Sequence, residues 1–197
     1  MTVARMRDGG LAVHNAIALE PELMAELDAF GKVRVLAVPS GFHRLDAKVF
    51  KQRYPEAKVV CPARARKKVE QVVPVDATYA DAPGDEDVRF VHLAGTRDGE
   101  GAMVVRSGDA ATVVVNDVIG NLPRLGGFFG FFFSPTGVAS VPRYARWLMI
   151  KDKARMLAEL EQLAATPGLR RVIVSHGAVI EGDAAGTLRQ IAARLRG

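Results

Sequence analysis

Four short apolar runs rich in β-branched residues constrain the fold of this chain more than any other feature. They occupy residues 33–38, 58–61, 111–115 and 171–174. Each run is too short for an ordinary helix and has the composition of a buried strand. Two further strands, partly exposed, are predicted at 10–14 and 88–93. Residues 102–106, followed by Ser107-Gly108-Asp109, predict a hairpin into the 111–115 strand.

Amphipathic segments between these strands predict helices. Pro21 begins one whose apolar side chains Leu23, Leu27 and Phe30 share a face, and Gly31 stands at the C-cap position. Further helices are predicted over residues 46–54, 63–72, 152–164 and 188–195. Strands that alternate with helices in a chain of 197 residues predict one α/β domain spanning residues 1–197.

Composition narrows the class of protein. With 49% hydrophobic and 25% charged residues, the chain is typical of a soluble globular protein. A single cysteine, Cys61, excludes an intrachain disulfide framework and a zinc site built from several thiolates. We therefore expect a cytoplasmic protein without a secretion signal. The net charge is +5, but the basic residues are dispersed, so we expect no specific nucleic-acid partner and no membrane association.

A phenylalanine-rich segment, residues 126–133, follows neither a helical nor a strand period; it reads Gly-Gly-Phe-Phe-Gly-Phe-Phe-Phe. The favoured interpretation is a loop whose phenylalanines fill the core. The alternatives are a lid and a contact in a homodimer, since an exposed apolar patch of this size indicates an association surface.

Polar side chains follow three of the predicted strands. His43 comes after the 33–38 strand, Asp117 after the 111–115 strand and His176 after the 171–174 strand. In layered α/β folds, ligands bind beyond the carboxyl ends of strands. Two imidazoles and one carboxylate are a ligand set for zinc, iron or manganese. Taken singly, each residue has a structural alternative: a hydrogen-bonded loop histidine or an aspartate that caps a helix.

The order of these motifs resembles the metallo-β-lactamase superfamily over nearly the whole chain. The late strand that ends in Ser175-His176-Gly177 is part of this resemblance. The sequence is most similar to a divergent bacterial branch, DUF4336, in which residues 38–43 (Val-Pro-Ser-Gly-Phe-His) replace the ligand cluster and a helix precedes residues 54–57 (Tyr-Pro-Glu-Ala). The resemblance implies a four-layer αββα sandwich with a metal site at one edge.

The resemblance also implies that the metal-binding motif is degenerate. The superfamily cluster H-x-H-x-D-H, placed on residues 38–43, leaves Val38, Ser40 and Phe42 in place of the first two histidines and the aspartate. Thr96 stands where the superfamily has the histidine of a Gly-His-Thr turn, and His92 lies nearby on a predicted strand. The first of the superfamily's two metal positions is therefore expected to be empty.

The second metal position keeps three of four ligands: His43, the bridging aspartate Asp117 and His176. Asp46 follows one helical turn beyond His43 and is a candidate for either the missing carboxylate or a helix cap. The resemblance implies a hydrolase-like protein with one divalent metal, most often zinc, with iron and manganese as alternatives. Asp117 is then the catalytic aspartate, and the substrate is an unidentified small molecule.

The opposing hypothesis is a non-catalytic binding or assembly protein of the same fold, without metal. Phe42 in place of a metal-binding carboxylate favours it, because an aromatic ring supplies no charge to balance an ion. His43, Asp117 and His176 would then form a buried hydrogen-bonded network. Metal content distinguishes the two hypotheses.

Overall fold

Two five-stranded sheets form the centre of the protein. The computed structural model describes residues 1–97 and 99–197. In the first sheet five strands lie side by side in chain order, the first pair antiparallel and the others parallel: β1 (Thr2–Arg5), β2 (Leu11–His14), β3 (Val33–Ala37), β4 (Lys58–Cys61) and β5 (Ala77–Thr78).

The second sheet is built mainly from hairpins. Its strands are β6 (Val88–Leu93), β7 (Glu100–Ser107), β8 (Ala110–Val114), β10 (Leu169–Ile173) and β12 (Ile180–Glu181). Two short strands, β9 (Gly120–Asn121) and β11 (His176–Gly177), pair with each other outside this sheet. The order is β12-β10-β8-β7-β6, with β8 and β10 parallel and the other pairs antiparallel. The predicted hairpin is confirmed, because β7 and β8 pair from Ser107 and Ala110 around Gly108.

Among the described residues six α-helices occur, the last of them after the final strand: α1 (Pro21–Phe30), α2 (Ala47–Arg53), α3 (Arg66–Val69), α4 (Gly127–Phe132), α5 (Lys153–Ala164) and α6 (Ala184–Arg196). A 3-10 turn (Ala63–Ala65) precedes α3 and a π-helical turn (Ala145–Met149) precedes α5. Asp152 caps α5 by accepting from the N–H of Arg155, and Asp183 caps α6 by accepting from the N–H of Gly186. These carboxylates satisfy donors that the first helical turn leaves unpaired.

The apolar side chains form three clusters that define four layers. The middle cluster joins the two sheets, with Ala12, Val35 and Val60 on one side and Met103 and Val114 on the other. The outer clusters pack α1 and α2 on the first sheet and α5 and α6 on the second; they include Met24, Phe50, Val59, Val113, Met156, Leu160, Leu188 and Ile191. The predicted αββα sandwich is confirmed.

Two sequence-based predictions about apolar side chains are wrong. In α1 the buried face consists of Met24 and Leu27, whereas Leu23 and Phe30 are exposed; the ring of Phe30 lies under the Arg5 guanidinium instead. The phenylalanine-rich segment does not fill the core. It forms α4, whose residues are all at least partly exposed, because the layers beneath are already filled by the sheets and the long helices.

Within the described part of the chain, none of the helices has both the length and the apolar character needed to cross a bilayer.

Gly101 on β7 provides a test of the packing between the sheets. A Cβ atom added there would lie 2.0 Å from Cε2 of the buried Tyr79. We expect Gly101→Ala to lower the free energy of unfolding by about 1–3 kcal/mol, measured by denaturant titration, since overpacking forces the ring out of place. Gly126→Ala is the control, because no described atom lies within 4 Å of its added methyl group. Equal stability of the two variants would contradict this packing.

Candidate functional site

The three predicted site residues come together at one edge of the sandwich. His43 follows β3 of the first sheet, whereas Asp117 and His176 follow β8 and β10, which are parallel neighbours in the second sheet. His176 also begins β11, which pairs with β9 at Gly120 and so holds the histidine at this edge. The carboxyl ends of strands from both sheets therefore meet here, as the topology of layered α/β folds favours.

One carboxylate joins the two imidazoles. Nε2 of His43 lies 2.9 Å from each oxygen of Asp117, and Nε2 of His176 lies 3.0 Å from Oδ1. The Asp117 side chain is nearly buried, whereas both imidazoles are partly exposed. Since a carboxylate only accepts hydrogen bonds, both rings donate from Nε2 in this arrangement.

Charge and burial act in opposite directions at this site. Burial disfavours the ionised form of Asp117, but hydrogen bonds from His176 and His43 outweigh it and hold the pKa of this carboxyl below its usual range. The hydrogen bond to Asp117 in turn raises the pKa of His176, against the effect of burial. The site thus stabilises a negative carboxylate beside a histidine that favours its charged form.

Two residues that sequence reasoning missed position the Asp117 loop. Oε1 of the buried Glu100 accepts hydrogen bonds from the backbone N–H groups of Asn116 (3.1 Å) and Val118 (3.2 Å). The Tyr144 hydroxyl donates to the backbone carbonyl of Asp117 at 2.9 Å. Burial, reinforced by the charge of Asp117, raises the pKa of Glu100 to about 8. A glutamate that begins a strand and a distant tyrosine belong to no local motif, so the sequence offered no signal for either.

A cavity of about 480 Å³ adjoins the two imidazoles and is also lined by His14, Arg44 and Asn116. His14 ends β2 and is almost completely buried, and burial lowers its pKa to about 3. Its Nε2 finds no hydrogen-bond partner among residues 1–97 and 99–197. Sequence reasoning missed His14, although it is a further polar residue at the carboxyl end of a predicted strand.

Ser40, Phe42 and Thr96, which the sequence resemblance placed at ligand positions, have other contacts in the structure. The Ser40 hydroxyl accepts from the Phe42 N–H at 3.2 Å, which stabilises the turn before His43. Phe42 itself is 58% exposed at the cavity rim. The buried Thr96 hydroxyl accepts from the Glu100 N–H at 2.8 Å. Both hydroxyls are thus used in local hydrogen bonds.

Asp46 and His92, the remaining candidates, do not contact the imidazoles. Asp46 accepts from the Ala18 N–H at 3.0 Å and makes no side-chain cap of α2, although it lines the cavity. His92 lies on β6, the strand at the opposite edge of the sheet from β10 and β12. Burial and the charges of Arg64 and Arg155 lower its pKa.

The three side chains have the atom types that bind a divalent ion, but in this structure they hydrogen-bond to one another. Two imidazole nitrogens and one carboxylate suit zinc, iron or manganese. In the described ranges, 1–97 and 99–197, no group of three or more His, Cys, Asp or Glu side chains has the spacing of a metal site. Because the Nε2 atoms donate to Asp117, coordination requires each ring to release the proton on Nε2.

Comparison with known proteins identifies the fold. No sequence-family profile matches the chain, and a search of curated proteins finds no significant relative. Among solved structures, the metallo-β-lactamase FIM-1 from Pseudomonas aeruginosa, in its mono-zinc form, is 12% identical with a TM-score of 0.59, covering 98% of this chain and 82% of its own. A metallo-β-lactamase from Pontibacter korlensis is 14% identical with a TM-score of 0.61, covering 97% and 85%.

A third similar structure belongs to a larger protein. The metal-soaked Flv1 flavodiiron core from Synechocystis sp. PCC6803 is 12% identical with a TM-score of 0.63; the match covers 95% of this chain and 50% of that one. At these identities the likeness establishes the fold alone.

The charge of Asp117 can be tested through the pKa of His176. In protein freed of metal by chelation, we expect Asp117→Asn to lower the His176 pKa, because the amide removes the negative charge that stabilises the imidazolium. Proton NMR titration of the four histidines measures this shift. Asp46→Asn is the control. It neutralises another carboxylate that lines the cavity, and this carboxylate accepts a hydrogen bond from the Ala18 N–H.

The same pair links stability to pH. The folded pKa of His176 lies above its ordinary value of 6.5. Its contribution to stability is therefore complete below the unfolded pKa and is lost as pH rises through the folded pKa.

In the NMR titration, an unchanged His176 pKa in Asp117→Asn would contradict the pairing of His176 with Asp117.

Proposed function

We propose that this chain of metallo-β-lactamase fold is a hydrolase-like protein that binds one divalent metal ion through His43, Asp117 and His176. The observation that carries the proposal is the convergence of two imidazoles, from opposite sheets, on one carboxylate beside an open cavity. Three protein ligands leave coordination positions for water and substrate. When bound, such an ion lowers the pKa of a water molecule and polarises a carbonyl or phosphoryl group.

The surrounding residues support this use of the site. Glu100 and Tyr144 hold the backbone on both sides of the Asp117 side chain, so the carboxylate is positioned before any ligand binds. Asp117 is the catalytic aspartate in this proposal, since it orients both imidazoles toward the cavity. A small molecule fits the cavity volume, which is in the range of ligand pockets.

The number of ions follows from the degenerate motif. Ser40 and Thr96 use their hydroxyls in local hydrogen bonds, and Val38 is buried in the core. These side chains offer no nitrogen ligand for a second ion, so we expect a single one, with zinc favoured and iron or manganese as alternatives. The segments 38–43 and 54–57 support membership of the divergent DUF4336 branch, and a cytoplasmic location remains our prediction.

A second candidate function is a non-catalytic binding protein without metal. Two observations favour it: Phe42 stands at the position of a superfamily carboxylate, and Asp117 bonds directly to both imidazoles. In that case the three residues only join the two sheets.

Metal content separates the two functions. In protein purified without chelator and offered zinc, iron and manganese in turn, we expect about one equivalent per chain by elemental analysis. His176→Ala removes one of three ligands, so we expect its metal content to fall below about a tenth of an equivalent. Loaded protein is then screened for hydrolysis of esters, lactones, thioesters and phosphodiesters.

His92→Ala is the matched control, since it removes a histidine that lies on β6 and outside the cavity lining. We expect it to retain the ion. Loss of metal in both variants would show that the middle of the chain contributes a ligand, and absence of metal from the unmodified protein would favour the non-catalytic function.

A further inference from the structure

Four exposed aromatic side chains of α4 and the π-helical turn, together with Leu148 beside Trp147 in the chain, make up a surface that we name the aromatic patch. Their exposed fractions are 74% for Phe128, 66% for Phe129, 56% for Phe131, 59% for Trp147 and 62% for Leu148. The rings of Phe128 and Phe129 lie 6.0 Å apart, and those of Phe131 and Trp147 lie 6.4 Å apart. Helix α4 and the π-helical turn therefore present a common apolar surface, of the kind that marks an interaction site.

The aromatic patch is held in place by packing beneath it. Phe132 stacks on Tyr144 with ring centroids 5.5 Å apart, and Phe133 meets the same ring edge-on at 5.3 Å. The Arg143 guanidinium lies 4.1 Å from the Phe131 ring centroid and 5.7 Å from that of Trp147, and it donates to the Phe131 carbonyl. These contacts support the exposed rings in an outward-facing arrangement.

Cationic side chains predominate in the part of the sequence that carries the aromatic patch, and one of them, Arg143, lies against its rings. Residues 118–151 contain Arg124, Arg143, Arg146 and Lys151 but no aspartate or glutamate. Arg124 and Lys151 are exposed. The carboxylates that flank this range in sequence are engaged elsewhere, since Asp117 accepts from two imidazoles and Asp152 caps α5. An occupant with negative charge is therefore favoured.

We propose that the aromatic patch docks on an anionic lipid surface. Exposed Phe, Trp and Leu side chains partition into the boundary between headgroups and acyl chains, and nearby Arg and Lys are attracted to anionic headgroups. A second copy of this chain is disfavoured, because an isologous contact would bring together two patches that each contain the Arg143 cation. The sequence-based expectations of no membrane association and of a possible homodimer are the alternatives that the experiment below tests.

The aromatic patch is physically connected to the candidate site. Tyr144, which stacks on Phe132, also donates its hydroxyl to the Asp117 carbonyl. Lipid docking would thus occur on a helix whose Phe132 packs on the tyrosine that holds the Asp117 backbone. The proposal does not depend on metal binding, so either can fail without the other.

Trp147, the single tryptophan of the chain, is an intrinsic reporter for this test. Its emission is recorded with vesicles of phosphatidylcholine alone and of phosphatidylcholine mixed with phosphatidylglycerol, and bound protein is measured by co-sedimentation. We expect a blue shift and binding with the anionic vesicles, both weakened by added salt. The double variant Phe128→Ser, Phe129→Ser is expected to bind at least about tenfold more weakly, because two inserted rings are lost.

Leu23→Ser and Val49→Ser are matched controls, since they remove exposed apolar side chains of α1 and α2 outside the aromatic patch. We expect both to bind like the unmodified protein, and circular dichroism with thermal unfolding verifies that all variants are folded. Absence of a blue shift with anionic vesicles would overturn the proposal, as would equal binding to neutral vesicles. A dimer in sedimentation without lipid, lost in the double phenylalanine variant, would overturn it in favour of a second copy.

Discussion

The hydrogen bonds of Asp117 to His43 and His176 are the interaction on which the functional edge of this protein depends. His43 follows a strand of the first sheet and His176 a strand of the second, so a single carboxylate joins polar groups from both halves of the sandwich. This carboxylate is nearly buried, and a buried charge is tolerated only when it is paired and hydrogen-bonded. The two imidazoles meet that requirement, and the Asn116–Val118 backbone is held in turn by Glu100.

Several buried polar atoms around this edge have no partner in the described part of the chain, including Nε2 of His14, Oε2 of Glu100 and Nδ2 of Asn116. Each such group reduces stability by the desolvation of an unsatisfied donor or acceptor. The interior of the sandwich between the sheets is otherwise packed with apolar side chains, mostly alanine and valine together with Met103 and Tyr79. Groups of this kind that concentrate beside a cavity are typical of a functional site rather than of a packed core.

Much of the fold could be predicted from local sequence patterns. The strands at 58–61 and 88–93 have the predicted bounds, and the helix predicted over 152–164 is α5. These predictions succeeded because β-branched runs and helical spacing depend on neighbours along the chain. The inward face of α1 and the exposure of Phe128 could not be predicted, because burial depends on which surfaces the other layers leave uncovered.

The sequence by itself determined which strand each candidate ligand follows and the chemical type of that ligand. His43, Asp117 and His176 each come after a predicted strand. Only the tertiary structure decided that the three meet, because their contact depends on how the two sheets pack face to face. It also decided that Glu100 and Tyr144 position the Asp117 loop, and that the aromatic patch faces outward. The physical reason is the distance along the chain over which each interaction acts. Strand and helix patterns depend on residues a few positions apart, whereas His43 and Asp117 are 74 residues apart in sequence.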